Sequence, residues 1–178
     1  MTDITLLGQN VNSYKYGLSW LLREIGKLFS VHCPLPTVHF MTSHPRDMSD
    51  EIIETICDLP YVAREFHLPV QSGDNEILQK MNRGYTIEYY KNRIAKIRSL
   101  IPGARITTDV IAGFPSETEE QFQNTLKLIK EIKFDAVNMA AYSIRPQTAA
   151  AKMTDQLSEE VKQERLQRII QVVRDVVK

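Results

Sequence analysis

Cysteine is scarce. Cys33 and Cys57 are the only two in 178 residues, too few for a disulfide framework and too far apart for a short-spaced metal pair. That favours a reducing, cytosolic setting. Long apolar runs are absent as well: none approaches the ~20 residues that cross a bilayer, so no membrane partner is expected. The opening MTDITLLGQN carries no basic segment ahead of an apolar one, which excludes a signal peptide at that point. Charge of one sign is also missing. Lys plus Arg and Asp plus Glu are 22 each, so there is no global basic footprint for nucleic acid. Histidines 32, 39, 44 and 67 lack the i, i+4 spacing of a helical zinc pair. GFPSETE has no P-loop lysine, so nucleotide hydrolysis is not indicated.

What is present is alternation. Short apolar stretches at 4–8, 38–42, 65–70, 106–112 and 136–142 read as buried strands. Between them, helical periodicity predicts helices over 17–29, 47–59, 74–81, 86–100, from 116 onward, and from 158 to the end. Ser49 or Asp47 is placed to cap the second helix, and Ser158 the last. Tyr89, Ile94, Ile97 and Ile101 would face the core from the fourth helix; Val161, Leu166, Ile169, Ile170, Val173 and Val177 would do so from the last. Strand and helix in regular alternation argue for an α/β fold of parallel strands with right-handed crossovers.

The stretch TTDVIAGFPSETEEQF organises the rest. Its strand is interrupted by Asp109, a carboxylate out of place in a core strand. Gly113 and Pro115 end the strand. Ser116 with Glu119 forms a candidate capping box, and Phe122, Leu126, Ile129 and Ile132 give the following helix an apolar face. Such a turn would offer open N–H groups at a strand's carboxyl end, where α/β proteins bind ligands.

Every expected strand ends in small or polar residues: Gly8-Gln9-Asn10, Thr42-Ser43-His44, Gln71-Ser72-Gly73, Gly113, and Ser143 with Arg145. Loop starts are polar anyway, but the repeated clusters point to a shared mouth. Individual residues have plainer readings. His67 fits a satisfied core histidine. Asp109 could be a partner of Arg105 or Arg145 rather than a catalytic group. Glu117 could be a first-turn carboxylate favoured by the helix dipole. Lys91, Arg93, Lys96 and Arg98 could be a solvated helix face or an RNA contact.

ITLLGQNVNSY, HFMTSHPRDMSDE, FHLPVQSGDNEILQKMNRGYT, TTDVIAGFPSETEEQF and YSIRPQTAAAKM, in that order, resemble the radical S-adenosylmethionine methylthiotransferases over essentially the whole chain. GQNVNSY, HLPVQSG and YSIRPQTAAA are most similar to the branch that makes 2-methylthio-N6-isopentenyladenosine in tRNA. The resemblance implies a partial (β/α) TIM-like barrel over 1–155, with a terminal helix over 156–178 packed on it. It implies S-adenosylmethionine and [4Fe–4S] clusters as cofactors and tRNA as partner. It implies a 5′-deoxyadenosyl radical that takes hydrogen from C2 of the adenosine beside the anticodon. Carried over residue by residue, Gly8, Gln9 and Asn10 stand where the methionine amino group is held. Gln71 and Ser72 stand at the ribose. Ile111, Gly113 and Glu117 match the glycine motif beside the adenine. Thr42, Ser43, Arg83, Asp109 and Arg145 are mouth residues for cofactor carboxylate or substrate, Asp109 and Arg145 being the catalytic candidates.

There are departures. The family usually has glycine where this chain has Ser116 and Gln147. The family's C-x₃-C-x₂-C loop precedes the GQN strand, and this sequence starts after it. The expectation is a core fragment that alone neither assembles a cluster nor methylthiolates tRNA, with an open sheet edge that favours self-association. The competing expectations are a self-contained (β/α) enzyme that binds a small anion at 113–117, and a non-catalytic scaffold remnant.

Overall fold

The computed structural model describes residues 3–29, 36–41 and 43–176. Cys33, His32, Thr42 and Val177 lie outside them. The elements alternate as β1 (Asp3–Leu6), α1 (Leu18–Phe29), β2 (Thr37–Phe40), α2 (Asp50–Asp58), β3 (Glu65–His67), α3 (Asn75–Lys80), α4 (Ile87–Leu100), β4 (Arg105–Ala112), α5 (Glu119–Ile132), β5 (Ala136–Ala141) and α6 (Glu159–Val176). The chain divides into two compact units, one running to Leu68 with Asn92–Ile106, the other comprising Pro69–Lys91 and Thr107 onward.

In the first unit β1 and β2 pair in parallel, Ile4 opposite Val38 and Leu6 opposite Phe40. Val38 also exchanges backbone bonds with the Tyr61–Ala63 segment, each 2.8 Å. Val38 and Phe40 are buried while Thr37 is exposed, the period of two that a half-buried strand imposes. Helices α1 and α2 pack together, burying Leu18, Leu22 and Ile25 on one and Ile52, Ile53 and Ile56 on the other. Ser49 caps α2 by accepting from the Ile52 N–H at 3.2 Å. Phe66 on β3 meets Phe40 edge-to-face with ring centroids 6.1 Å apart. Arg93 pairs with Asp50, and Lys96 with Asp50 and Glu54, both at 2.8 Å. Two of the four basic residues on α4, Arg93 and Lys96, are thus drawn into ion pairs with α2, while Arg98 is exposed.

In the second unit β4 and β5 are parallel, with Asp109 opposite Asn138 and Ile111 opposite Ala140. One face of β4 is buried through Thr108, Val110 and Ala112; Thr107, Asp109 and Ile111 line the half-open face. The expected strand over 65–70 stops at His67, because Pro69 has no N–H for a ladder. Pairing resumes at Gln71, whose N–H donates to the Asp109 carbonyl at 2.8 Å and whose carbonyl accepts from Ile111 at 2.9 Å. Side chains serve the gap: Thr108 Oγ1 accepts from the Val70 N–H at 2.9 Å, and the Tyr85 hydroxyl sits 2.9 Å from the Val70 carbonyl.

Tyr90, not Tyr89, is the buried aromatic of α4, packed between Tyr85 and Phe134. Helix α6 packs on α5 and β5, but the expected face is turned. Its buried residues are Lys162, Arg165, Ile169 and Val172, whereas Val161 is exposed. Long cationic side chains can cover apolar surface with their stems; here the heads go inward too. Among the described residues no helix is long and apolar enough to cross a membrane.

Candidate functional site

The β4–α5 turn was expected to present free N–H groups. It does not. Gly113 N–H donates to Glu117 Oε2 at 2.9 Å. Ser116 N–H goes to the Asp155 carbonyl and Glu117 N–H to the Phe114 carbonyl. Helix α5 starts two residues later than expected: Thr118 is the N-cap and forms a capping box with Gln121. Ser116 cannot serve because it sits at φ +64°. With its donors occupied, this turn is a poor cradle for a small anion.

Glu117 is held from behind. Arg165 Nη1 donates to Glu117 Oε2 at 2.8 Å and to its carbonyl at 2.9 Å, with both side chains almost wholly buried. Burial pushes the Glu117 carboxyl up, and the Gly113 amide and the Arg165 guanidinium pull it the other way. Breaking one half of such a pair costs about 3–5 kcal/mol, because the other charge is left buried. Glu117 thus braces the glycine turn; it does not line the cavity described next. Ser72 is internal as well: it is fully buried, 3.5 Å from Thr125 Oγ1, and accepts from the Asp74 N–H. Next to it Gly73 lies so close to α5 that an added Cβ would come within 2.5 Å of the Thr125 Cα.

A cavity of about 630 Å³ opens at the carboxyl ends of β4 and β5. Gln71, Ile111, Arg83 and Arg145, all expected at the site, line it. So do Phe114 and Tyr142, whose rings meet edge-to-face at 5.4 Å. Lys80, Asn82 and Thr148 complete its polar side. Arg83 is partly committed, donating to the Pro69 carbonyl at 3.0 Å. Arg145 is exposed, and no ion pair is seen for it among the described residues; its carbonyl accepts from the Thr148 hydroxyl at 2.8 Å. Left-handed backbone gathers nearby, at Gln71 (φ +71°) and Asn82 (φ +55°) on the lining and at Gln147 (φ +70°) between Arg145 and Thr148. Strained residues of this kind collect at functional sites. Asp109 Oδ1 accepts from its cross-strand neighbour Asn138 at 2.9 Å.

The first unit gathers its own expected residues. Asn10 Oδ1 accepts from the His44 N–H at 3.2 Å, and Asn10 Nδ2 donates to Asp47 Oδ2 at 2.5 Å. The tip after β1 is thereby tied to the tip after β2, where Ser43 is buried. Gly8 and Gln9 are exposed. His44 Nδ1 accepts from the Arg46 N–H at 3.2 Å, so that nitrogen caps its own turn.

Chemically, the second unit's cavity pairs an apolar wall with a cation and hydroxyls. That suits a nucleoside carrying an anionic or zwitterionic tail. Among the described residues no cluster of three His, Cys, Asp or Glu could hold a metal, so they do not fit an iron–sulfur cluster. Phe114, Tyr142 and the buried cations of α6 escaped sequence reasoning. Phe114 hides inside GFP, and Lys162 and Arg165 look like the outer face of an amphipathic helix.

Residues 2–129 match the model of the radical SAM superfamily. Among curated proteins, the chain is 46% identical to a tRNA-2-methylthio-N(6)-dimethylallyladenosine synthase of Clostridium botulinum, over 98% of this chain and 39% of that protein. It is 50% identical to a protein of the same name from Thermoanaerobacter pseudethanolicus, over 96% and 36%. The chain therefore spans about two fifths of these relatives' length. Among solved structures, coproporphyrinogen III oxidase of Escherichia coli, a radical SAM enzyme, superposes with a TM-score of 0.74 at 20% identity, over 98% of this chain and 40% of that one. An archaeal Elp3 from Methanocaldococcus infernus gives 0.65 at 15% identity, over 99% and 45%. These likenesses show the parallel α/β fold expected from the sequence.

Proposed function

The chain belongs to the radical SAM superfamily, and from that premise we propose that it is the S-adenosylmethionine-handling core of a tRNA methylthiotransferase that modifies N6-isopentenyladenosine beside the anticodon. The relatives' shared name supports the substrate. The observation that carries the cofactor reading is the cavity itself: Ile111 and Phe114 form an apolar wall, and Arg145, without an ion pair among the described residues, lies on the same lining as Thr148.

S-adenosylmethionine, when bound, supplies the group that abstracts hydrogen. This chain's residues bind and orient. Ile111 and Phe114 would hold the adenosine and keep water from it. Arg145, with the Thr148 hydroxyl, would hold the carboxylate. Asp109 and Asn138, adjacent on the half-open strand face, would offer a polar pair to substrate. The cluster itself has no ligands among the described residues, and no step is assigned to it.

The test is two-dimensional NMR of the 178-residue chain titrated with S-adenosylmethionine, with inorganic phosphate and ribose 5-phosphate as controls. Saturable shifts at Gln71, Ile111, Phe114 and Tyr142 with S-adenosylmethionine alone are expected. Shifts with phosphate instead, or none at these residues, would overturn the reading.

A further inference from the structure

The last helix carries two inward cations that the function above does not use. Lys162 and Arg165 are both almost wholly buried. Three residues apart, they lie on one helix face. That face meets the β4–α5 turn. Arg165 binds Glu117 twice, and Glu117 Oε2 receives the Gly113 N–H. Lys162 covers the same glycine: a Cβ added at Gly113 would lie 2.7 Å from Lys162 Cγ. The Lys162 ammonium reaches out to Glu159 at 2.7 Å and lies 5.6 Å from the Tyr142 ring centroid.

The residues that flank or face this clamp are cavity residues. Ile111 stands two before Gly113 and Phe114 immediately after it, and both line the cavity, as does Tyr142. Gly113 is at φ +75°, a backbone state that reverses the chain between Ile111 and Phe114. A change in that hydrogen bond therefore re-aims both walls. The clamp is also poised rather than saturated: among the described residues the buried Glu117 Oε1 and Arg165 Nε have no hydrogen-bond partner. The Nη1–Oε2 contact and the carbonyl contact fix the pair, and Arg165 also lies 5.2 Å from the Phe122 ring centroid with Nη2 3.8 Å from Glu119 Oε2.

We propose that Arg165 is a positioning residue for the cavity: through Glu117 it fixes the Gly113 turn and so sets the spacing of Ile111 and Phe114. It touches no ligand. The inference stands on the cavity's geometry, and only the ligand arm of its test rests on the function proposed above.

The experiment is residue-resolved hydrogen exchange on the whole chain, comparing wild type with Arg165→Met and Arg165→Lys. In Arg165→Met, exchange at 113–117 is expected to rise about tenfold, with the amides bonded between β4 and β5 near wild type; Arg165→Lys should recover most of the loss. Unchanged exchange at 113–117, or an equal rise throughout the second unit, would overturn the proposal. Should Arg165→Met fail to fold, Glu117→Gln replaces it, since it keeps the shape and weakens the same link; the same local pattern is expected, and its absence is equally fatal. In the ligand arm, S-adenosylmethionine affinity should fall about fivefold or more in Arg165→Met and return in Arg165→Lys. Wild-type chain that ignores S-adenosylmethionine counts against the proposed function, and the exchange result still decides this inference.

Discussion

Asn10 and Asp47, thirty-seven residues apart, are joined by a 2.5 Å hydrogen bond from Nδ2 to Oδ2. The bond couples the loop after β1 to the short turn after β2, and Asn10 closes it by accepting from the His44 N–H. Hydrogen bonding from Arg46, and then from Asn10, holds the Asp47 carboxyl below the ordinary carboxylate range. The sign follows. A depressed folded-state pKa contributes stability above the unfolded value, near 4, and loses it as pH falls through the folded value. Protection of the amides at 8–14 and 43–48, with the intrinsic pH dependence of exchange divided out, should therefore be constant from pH 7 to about 5 and fall below about 4. Asn10→Ala should shrink that step, the Arg46 bond still holding the carboxyl down, and cost about 1 kcal/mol, measured by denaturant unfolding. A pH step unchanged in Asn10→Ala would break the link.

Ser116 and Gln147 both hold left-handed backbone, at φ +64° and +70°, where a Cβ strains against the backbone. Glycine should relieve the strain at each. The gains should differ. Ser116 Oγ accepts from Lys80 Nζ at 2.6 Å, a contact Ser116→Gly discards. Gln147→Gly should raise stability by about 0.5–1 kcal/mol, and Ser116→Gly by less. Thermal unfolding of the two variants side by side checks the order.

These two positions show what the sequence can and cannot carry. That glycine usually stands there in the resembling family was legible; that the reason is the backbone sign required it was not. Element order was legible because apolar period alone reports it: Val38 and Phe40, or Phe122, Leu126, Ile129 and Ile132, face inward as the pattern says. Failures came where a local rule met tertiary context. Pro69 ended a strand that apolar content carried on. Ser116 looked like a cap until its backbone ruled it out. Arg165 and Lys162 read as solvent-facing because charge is normally outside, and only Glu117 and Gly113, far away in sequence, explain their burial. At the site, Ile111, Arg83, Gln71 and Arg145 were named from motif resemblance and do line one cavity. Ser72 and Glu117 came from the same motifs and instead support the fold.

Gly73 packs against backbone, not against a movable side chain. An added Cβ would lie 2.5 Å from Thr125 Cα and 2.6 Å from the Asn124 carbonyl oxygen. The same glycine donates its N–H to Thr125 Oγ1 at 2.9 Å. Gly73→Ala must push α5 away from the tip at 71–74 and should cost about 2–3 kcal/mol, as overpacking does. Thr125→Val, which removes the acceptor at nearly the same shape, should cost about 1 kcal/mol. Chemical denaturation of both variants separates a steric role for Gly73 from a mere loss of that hydrogen bond.

Arg145 offers the cleanest separation of binding from folding. It is exposed, lines the cavity and, among the described residues, shows no ion pair. Removing it should leave stability within about 0.5 kcal/mol of wild type, the range for surface substitutions. A charge-assisted bond to a ligand carboxylate is worth about 1.5–3 kcal/mol, so Arg145→Gln should weaken S-adenosylmethionine binding about tenfold or more. Arg145→Lys should recover only part, because a lysine cannot reproduce the two-point fork. Asp109→Asn should behave differently. It keeps an oxygen for the Asn138 amide, so cofactor affinity should change little. Calorimetric titration of the three variants discriminates the roles. Equal losses at Arg145 and Asp109, whose substitutions change net charge in opposite directions, would mean that affinity follows general disturbance of the sheet end, not a specific guanidinium–carboxylate contact.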